Sequence, residues 1–302
     1  MKELIDLLRA VGDLLMPRAC VVCGAPLGIH ERHLCLRCAA DVPYTRFWHQ
    51  PHNPLADRFN AVLERHRGTE PMDYAYAVAL MYYKGAYRNI PRALKYHSNL
   101  SIGRFYATLL GRHLASAPHF VDIDLLLPVP LHWTRLRSRG YNQAEVLASA
   151  LASAFNAARS AVIPGSTSPV IPGLTRNLPP AVCRPDILVR ARRTRTQTRL
   201  SVEQKARNVA SAFRVRANRW PIGVGHDGGA RPLLDFFRHS GLDPESDPRK
   251  VLASARHILL VDDTFTTGAT LYACYAAIRP FTTARISIAT LAAVEGTPSG
   301  GT

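Results

Sequence analysis

Two hydrophobic rhythms run along the chain. Near the amino terminus, Leu4, Ile5, Leu7, Leu8, Val11, Leu14 and Leu15 recur at helical spacing, which predicts a helix over residues 1–16 that Pro17 ends. Further on, short apolar runs take over, at Asp124 to Val129 and at Ile258 to Val261. Such runs fit strands covered on both faces, as in a parallel sheet. The first leads into a helical pattern over residues 142–158 and the second into one over 271–278. Strand alternating with helix predicts an α/β fold, a parallel sheet flanked by helices, with strands near 123–129, 257–262 and 285–292. Two stretches break the pattern: residues 163–180 and 223–248 are rich in Pro and Gly and read as insertions. A fold can carry them, since each doubling of a loop costs only about 0.6 kcal/mol.

The strand at Ile258 to Val261 ends in Asp262 and Asp263 and runs into Thr264-Phe265-Thr266-Thr267-Gly268-Ala269-Thr270. Open α/β sheets place ligands at the carboxyl ends of their strands. A turn of hydroxyls and glycine opening a helix can aim backbone N–H groups and Thr hydroxyls at a phosphate, while Gly268 allows close approach. The two carboxylates are acceptors suited to sugar hydroxyls. A capped helix after an ordinary strand, or an acidic pocket like that of response-regulator receivers, uses the same residues.

Four of the six cysteines form two Cys-x-x-Cys hooks, Cys20/Cys23 and Cys35/Cys38, with Gly24 after the first. Two hooks supply the four soft ligands of a closed tetrahedral zinc site, with a redox dithiol or disulfide as the alternative. His30 and His33 lie between the hooks and could replace a ligand. Cys183 reads as a loop thiol and Cys274 as a core residue.

Charge changes the picture further. The chain holds 38 Lys and Arg against 22 Asp and Glu. Residues 184–216 alone contain ten Arg or Lys and two acids, which points to an anionic partner, a polyphosphate or a nucleic acid. After the strand at 124–129, a loop carries Arg135, Arg137 and Arg139, and Arg clamps phosphate oxygens bidentately, so Arg135 and Arg139 are candidate pyrophosphate ligands. Arg190 to Arg199 reads as a mobile basic loop able to act as a lid. Asp6, Arg9 and Asp13 interrupt the first apolar stretch, which is neither a signal peptide nor a membrane span, so the chain reads as cytoplasmic.

The order of strand, Asp-Asp, x-x-Thr-Thr-Gly-x-Thr resembles the phosphoribosyl-pyrophosphate (PRPP) loop of type I phosphoribosyltransferases. Together with the cysteine hooks, and with Tyr83 to Arg88, Ala93 to Tyr96, Leu127 to His132, Arg135 to Gln143, Gln197 to Leu200 and Arg207 to Phe213, the chain resembles the ComF family of phosphoribosyltransferase-like proteins. That resemblance implies a zinc ribbon with its helix over residues 1–50 and a phosphoribosyltransferase-like domain over 70–302. It implies structural Zn2+ at Cys20, Cys23, Cys35 and Cys38, and PRPP with Mg2+ at Asp262, Asp263, Thr264, Thr266, Thr267, Gly268, Ala269 and Thr270. Asp262 and Asp263 would be the catalytic acids, holding the ribose while a nitrogen nucleophile displaces pyrophosphate. In the 6-oxopurine salvage relatives a third acid stands where this chain has Thr266. A hydroxyl is no general base near neutral pH, so an anionic base or an amine is the easier acceptor. The resemblance also implies a link to competence and DNA uptake. The rival reading is a non-catalytic single-stranded-DNA-binding competence factor that uses the basic 184–216 region and the pairs Tyr82-Tyr83 and Phe47-Trp48. A structural partner protein whose ribbon docks on other machinery is a third.

Overall fold

The computed structural model describes residues 18–66, 73–96, 99–160, 178–191, 212–216 and 247–296. Five strands form one parallel sheet in the order β1-β7-β6-β2-β3. They are β1 (Ala77–Tyr82), β2 (Leu125–Pro128), β3 (Val182–Cys183), β6 (His257–Phe265) and β7 (Arg285–Ala293). A separate antiparallel ribbon pairs β4 (Leu188–Arg190) with β5 (Phe213–Val215). The three expected strands are present with shifted ends, and β6 runs three residues past the expected stop, so the acid pair lies within the ladder.

The helices are α1 (Leu36–Ala40), α2 (Pro54–Arg65), α3 (Asn89–Tyr96), α4 (Leu100–Ala115), α5 (Trp133–Arg139), α6 (Gln143–Ser160), α7 (Pro248–Ser254) and α8 (Ala269–Ile278). Helix α4 packs along α6, and Gly111 makes the approach possible. A Cβ there would stand 2.5 Å from the Leu151 carbonyl oxygen. Ile258, Leu259 and Leu260 of β6 are fully buried between the two helical layers, as an unbroken aliphatic run requires.

At the amino-terminal edge of the sheet, buried His257 joins Asp122 Oδ1 through Nδ1 (2.8 Å) and Ser287 Oγ through Nε2 (2.8 Å). Asp122 also pairs with Arg285. The order Ser, His, Asp is that of a hydrolase triad, but Ser287 is wholly buried, so no substrate reaches it. Burial holds His257 below its ordinary pKa, against the pull of Asp122. The network ties the starts of β6 and β7 to the turn before β2.

Several expectations need revision. The arginines after β2 lie on a short helix, α5, rather than a loop. Cys183 is a buried β3 residue, not a loop thiol, and Cys274 is in the core as expected. The expected insertions lie mostly outside the described residues, but their carboxyl ends belong to the body. Arg159 of α6 hydrogen-bonds the Pro179 carbonyl, and Asp247 caps α7, with Pro248 buried. The amino-terminal helix and residues 192–199 of the expected lid also lie outside the described residues, whereas Arg190 sits in β4. Among the described residues, no helix is long and apolar enough to cross a membrane.

Candidate functional site

The four hook cysteines converge. The Sγ atoms of Cys20, Cys23, Cys35 and Cys38 all lie within 4.8 Å of one another. The first hook is a tight turn closed by the Gly24 N–H on the Cys20 carbonyl (2.8 Å), with Gly24 at φ +75°. The second opens α1, where Cys35 stands just before the helix and Cys38 in its middle. Among the described residues, an antiparallel bridge from Ala19 to Pro26 flanks the first hook. Cys23 and Cys35 Sγ are 3.7 Å apart, and tetrahedral zinc with bonds near 2.3 Å needs its sulfurs about 3.8 Å apart. Burial alone would keep Cys20 protonated, but backbone N–H groups of Cys23, Cys35 and Val22 hold it down at about 6. Burial pushes Cys38 up to about 12. The four thiols together could bind a metal such as zinc. His33 is not among them: its ring packs at 5.6 Å on Phe105.

The second site is the carboxyl end of β6. The chain leaves β2 toward β3 on one side and leaves β6 toward β7 on the other, so the gap between β2 and β6 is the point where the strand order reverses. Open α/β sheets bind ligands there. Consecutive residues of an extended strand face opposite sides, so Asp262 and Asp263 diverge. Asp262 faces Cys274 of α8 and feels the charge of Arg190 from β4. Asp263, nearly buried, forms an ion pair with Lys95 Nζ at the end of α3 (3.0 Å). The Asp263 N–H donates to Asp262 Oδ1 (2.8 Å). Burial first, and the charge of Asp263 second, push Asp262 up to about 7 against the opposing pull of that N–H, Lys95 and Arg190.

Beyond the acids the backbone turns through Thr266 and Thr267, both exposed, into Gly268 at φ +80°, and α8 begins at Ala269. A Cβ at Gly268 would stand 3.0 Å from Phe265 Cζ. The first amide groups of α8 have no intrahelical acceptor, and with Thr270 on that turn they form a donor-rich rim. Thr264, on the Asp262 face, has a buried hydroxyl with no hydrogen-bond partner among the described residues, as does Thr290, the β7 residue opposite Asp262.

The structure therefore brings Asp262, Asp263, Thr264, Thr266, Thr267, Gly268, Ala269 and Thr270 to one sheet edge. Of the two expected clamp arginines, Arg135 is exposed and acts electrostatically on Arg190. Arg139 is half-buried, donates to Gln143 Oε1 (3.0 Å) and lies over the Tyr96 ring. Sequence reasoning missed Lys95 and Arg190 as neighbours of the acids. It also missed Arg58, which fastens the turn by donating to the Thr266 and Val294 carbonyls (2.6 Å each). The segment Ala93 to Tyr96 was conspicuous in the chain, but nothing in it says which strand end Lys95 covers. Phe47 and Trp48 are buried, Trp48 stacked on His113 at 4.2 Å, so they offer no stacking face to a nucleic acid. A scan against protein-family models finds no match for the chain, and a search of the curated proteins finds none.

Proposed function

We propose that the chain is a type I phosphoribosyltransferase of the ComF kind, with a zinc-braced amino-terminal ribbon, that binds PRPP with Mg2+ and transfers the phosphoribosyl group to a nitrogen acceptor. The observation that carries the reading is the acid pair at the strand-order reversal, followed at once by the left-handed Gly268 and the start of α8. One carboxylate on each side can accept from ribose hydroxyls, and the Thr266 to Thr270 turn can donate to the 5′-phosphate. In transfer, the nitrogen lone pair forms a bond to the anomeric carbon as the bond to the diphosphate oxygen breaks. Pyrophosphate leaves with that electron pair, and the nitrogen loses its proton. A Mg2+ ion bound with the diphosphate would supply neutralisation of the leaving group's charge, beside the carboxylates of Asp262 and Asp263 that would hold the ribose. The protein's share is positioning and electrostatics: the acids hold the sugar while positive charge develops at the anomeric carbon. The acceptor is an anionic base or an amine, since Thr266 supplies no general base. A cytoplasmic role beside competence machinery accompanies this reading.

The test is calorimetric titration of PRPP with Mg2+. Wild type should bind, and Asp263→Asn should bind more than about tenfold more weakly if a charge-assisted bond is lost. Equal affinities would remove Asp263 from the site. Burial of Phe47 and Trp48 weighs against the single-stranded-DNA reading. Steeply salt-dependent DNA affinity with no PRPP response would select it instead.

A further inference from the structure

We propose that Lys95 is a ligand-binding residue of this site, one that reads the diphosphate of an α-1-diphospho sugar while it stays paired with Asp263. The inference rests on the PRPP reading above and deepens it. Lys95 stands in the last turn of α3, and its Nζ lies 3.0 Å from Asp263 Oδ1, with the two side chains 26% and 12% exposed. The ammonium is neither sealed in nor swinging free. It carries three donors, and among the described residues Asp263 is its one ionic partner, so further donors remain for a ligand. Asp263 Oδ2 has no partner among the described residues and can accept from a sugar hydroxyl while Oδ1 keeps the lysine.

Sugar stereochemistry then places the anion. In an α-1-diphosphoribose the diphosphate is cis to the 2′- and 3′-hydroxyls. A carboxylate gripping those hydroxyls therefore lies on the side of the ring that carries the diphosphate, and a cation on that same carboxylate faces the diphosphate oxygens. The neighbours agree in sign. Arg139 lies over Tyr96, the residue after Lys95, and Arg135 acts on Arg190 beside Asp262. Ribose 5-phosphate shares the hydroxyls and the 5′-phosphate but lacks the diphosphate, so Lys95 should distinguish the two.

The experiment is calorimetry of PRPP with Mg2+, and of ribose 5-phosphate, on wild type, Lys95→Gln and Lys95→Arg, with melting curves to confirm folding. Loss of one charge-assisted contact should weaken PRPP binding to Lys95→Gln by about tenfold or more and ribose 5-phosphate by less than about threefold. Lys95→Arg keeps the charge and should fall between wild type and Lys95→Gln for PRPP. Equal losses for both ligands would mean that Lys95 acts only through Asp263 and would overturn the inference. So would tighter binding of both, the mark of a lock that ligand must displace, or no change at all. Wild type that binds neither ligand overturns the function itself, and this inference with it. Wild type that binds both, without the split, overturns this inference alone.

Discussion

Asp262 carries an electrostatic cost that a single substitution should relieve. Its pKa is raised from 3.8 to about 7, with burial the first cause and Asp263 the second. A folded-state value above the unfolded one means that the native protein holds this proton longer. The stability it contributes is whole below about pH 4 and is lost as pH rises through about 7. At about 1.4 kcal/mol per unit, the half-buried carboxylate costs the fold up to about 4 kcal/mol at pH 8. Asp262→Asn keeps the volume and keeps an oxygen to accept from the Asp263 N–H, but it cannot ionise. The variant should be more stable than wild type at pH 8, and its advantage should shrink by up to about 3 kcal/mol at pH 5, where native Asp262 is protonated anyway. Urea unfolding of both proteins at the two pH values, without ligand, gives the comparison. A variant less stable than wild type at pH 8, or a difference independent of pH, would refute the reasoning.

The other expectations are more direct. Protein purified without chelator should contain about one zinc per chain by elemental analysis, and Cys35→Ser should release it; absence of stoichiometric metal would refute the tetrahedral site. Gly268→Ala puts a side chain at φ +80° and 3.0 Å from the Phe265 ring. It should lower unfolding free energy by about 1–2 kcal/mol and weaken PRPP binding, and unchanged stability would mean that the turn relaxes freely.

What was legible in the sequence follows from range. The aliphatic runs of β2, β6 and β7 announce buried parallel strands because both faces must be apolar, and the Gly268 turn is local chemistry. Strand β1 does not stand out in the sequence: its Ala-Val-Ala-Leu-Met-Tyr run is fully buried from Ala77 to Met81 but poor in β-branched residues. The β4–β5 ribbon was masked by its own charges. Phe213 and Val215 turn inward while Arg214 turns out, an alternation easily taken for part of a basic loop. Arg184 is likewise fully buried on Asp186, so the basic count of that region overstates its surface charge. The Lys95–Asp263 pair could not be foreseen, because it depends on where the end of α3 lands over a distant strand.

The cysteine cluster and the acid pair of β6 are joined by a short mechanical path. Tyr87 donates from its hydroxyl to the Cys38 carbonyl (3.1 Å), and the turn that carries Tyr87, Gly85–Arg88, leads directly into α3. Tyr44, just past the second hook, forms a bridge with Met81 of β1. The cysteine knuckle thus braces both the edge strand and the helix whose last turn holds Lys95 against Asp263. Tyr141 adds a second anchor from the segment between α5 and α6, donating to the Leu94 carbonyl beside Lys95. A lysine on a four-carbon stem positions an anion only as well as its helix is held. Here that helix is fixed from the knuckle side by Tyr87 and from the arginine side by Tyr141. The zinc and Lys95 experiments therefore probe one device: loss of the metal should loosen the end of α3, whereas Lys95→Gln removes only the charge it carries.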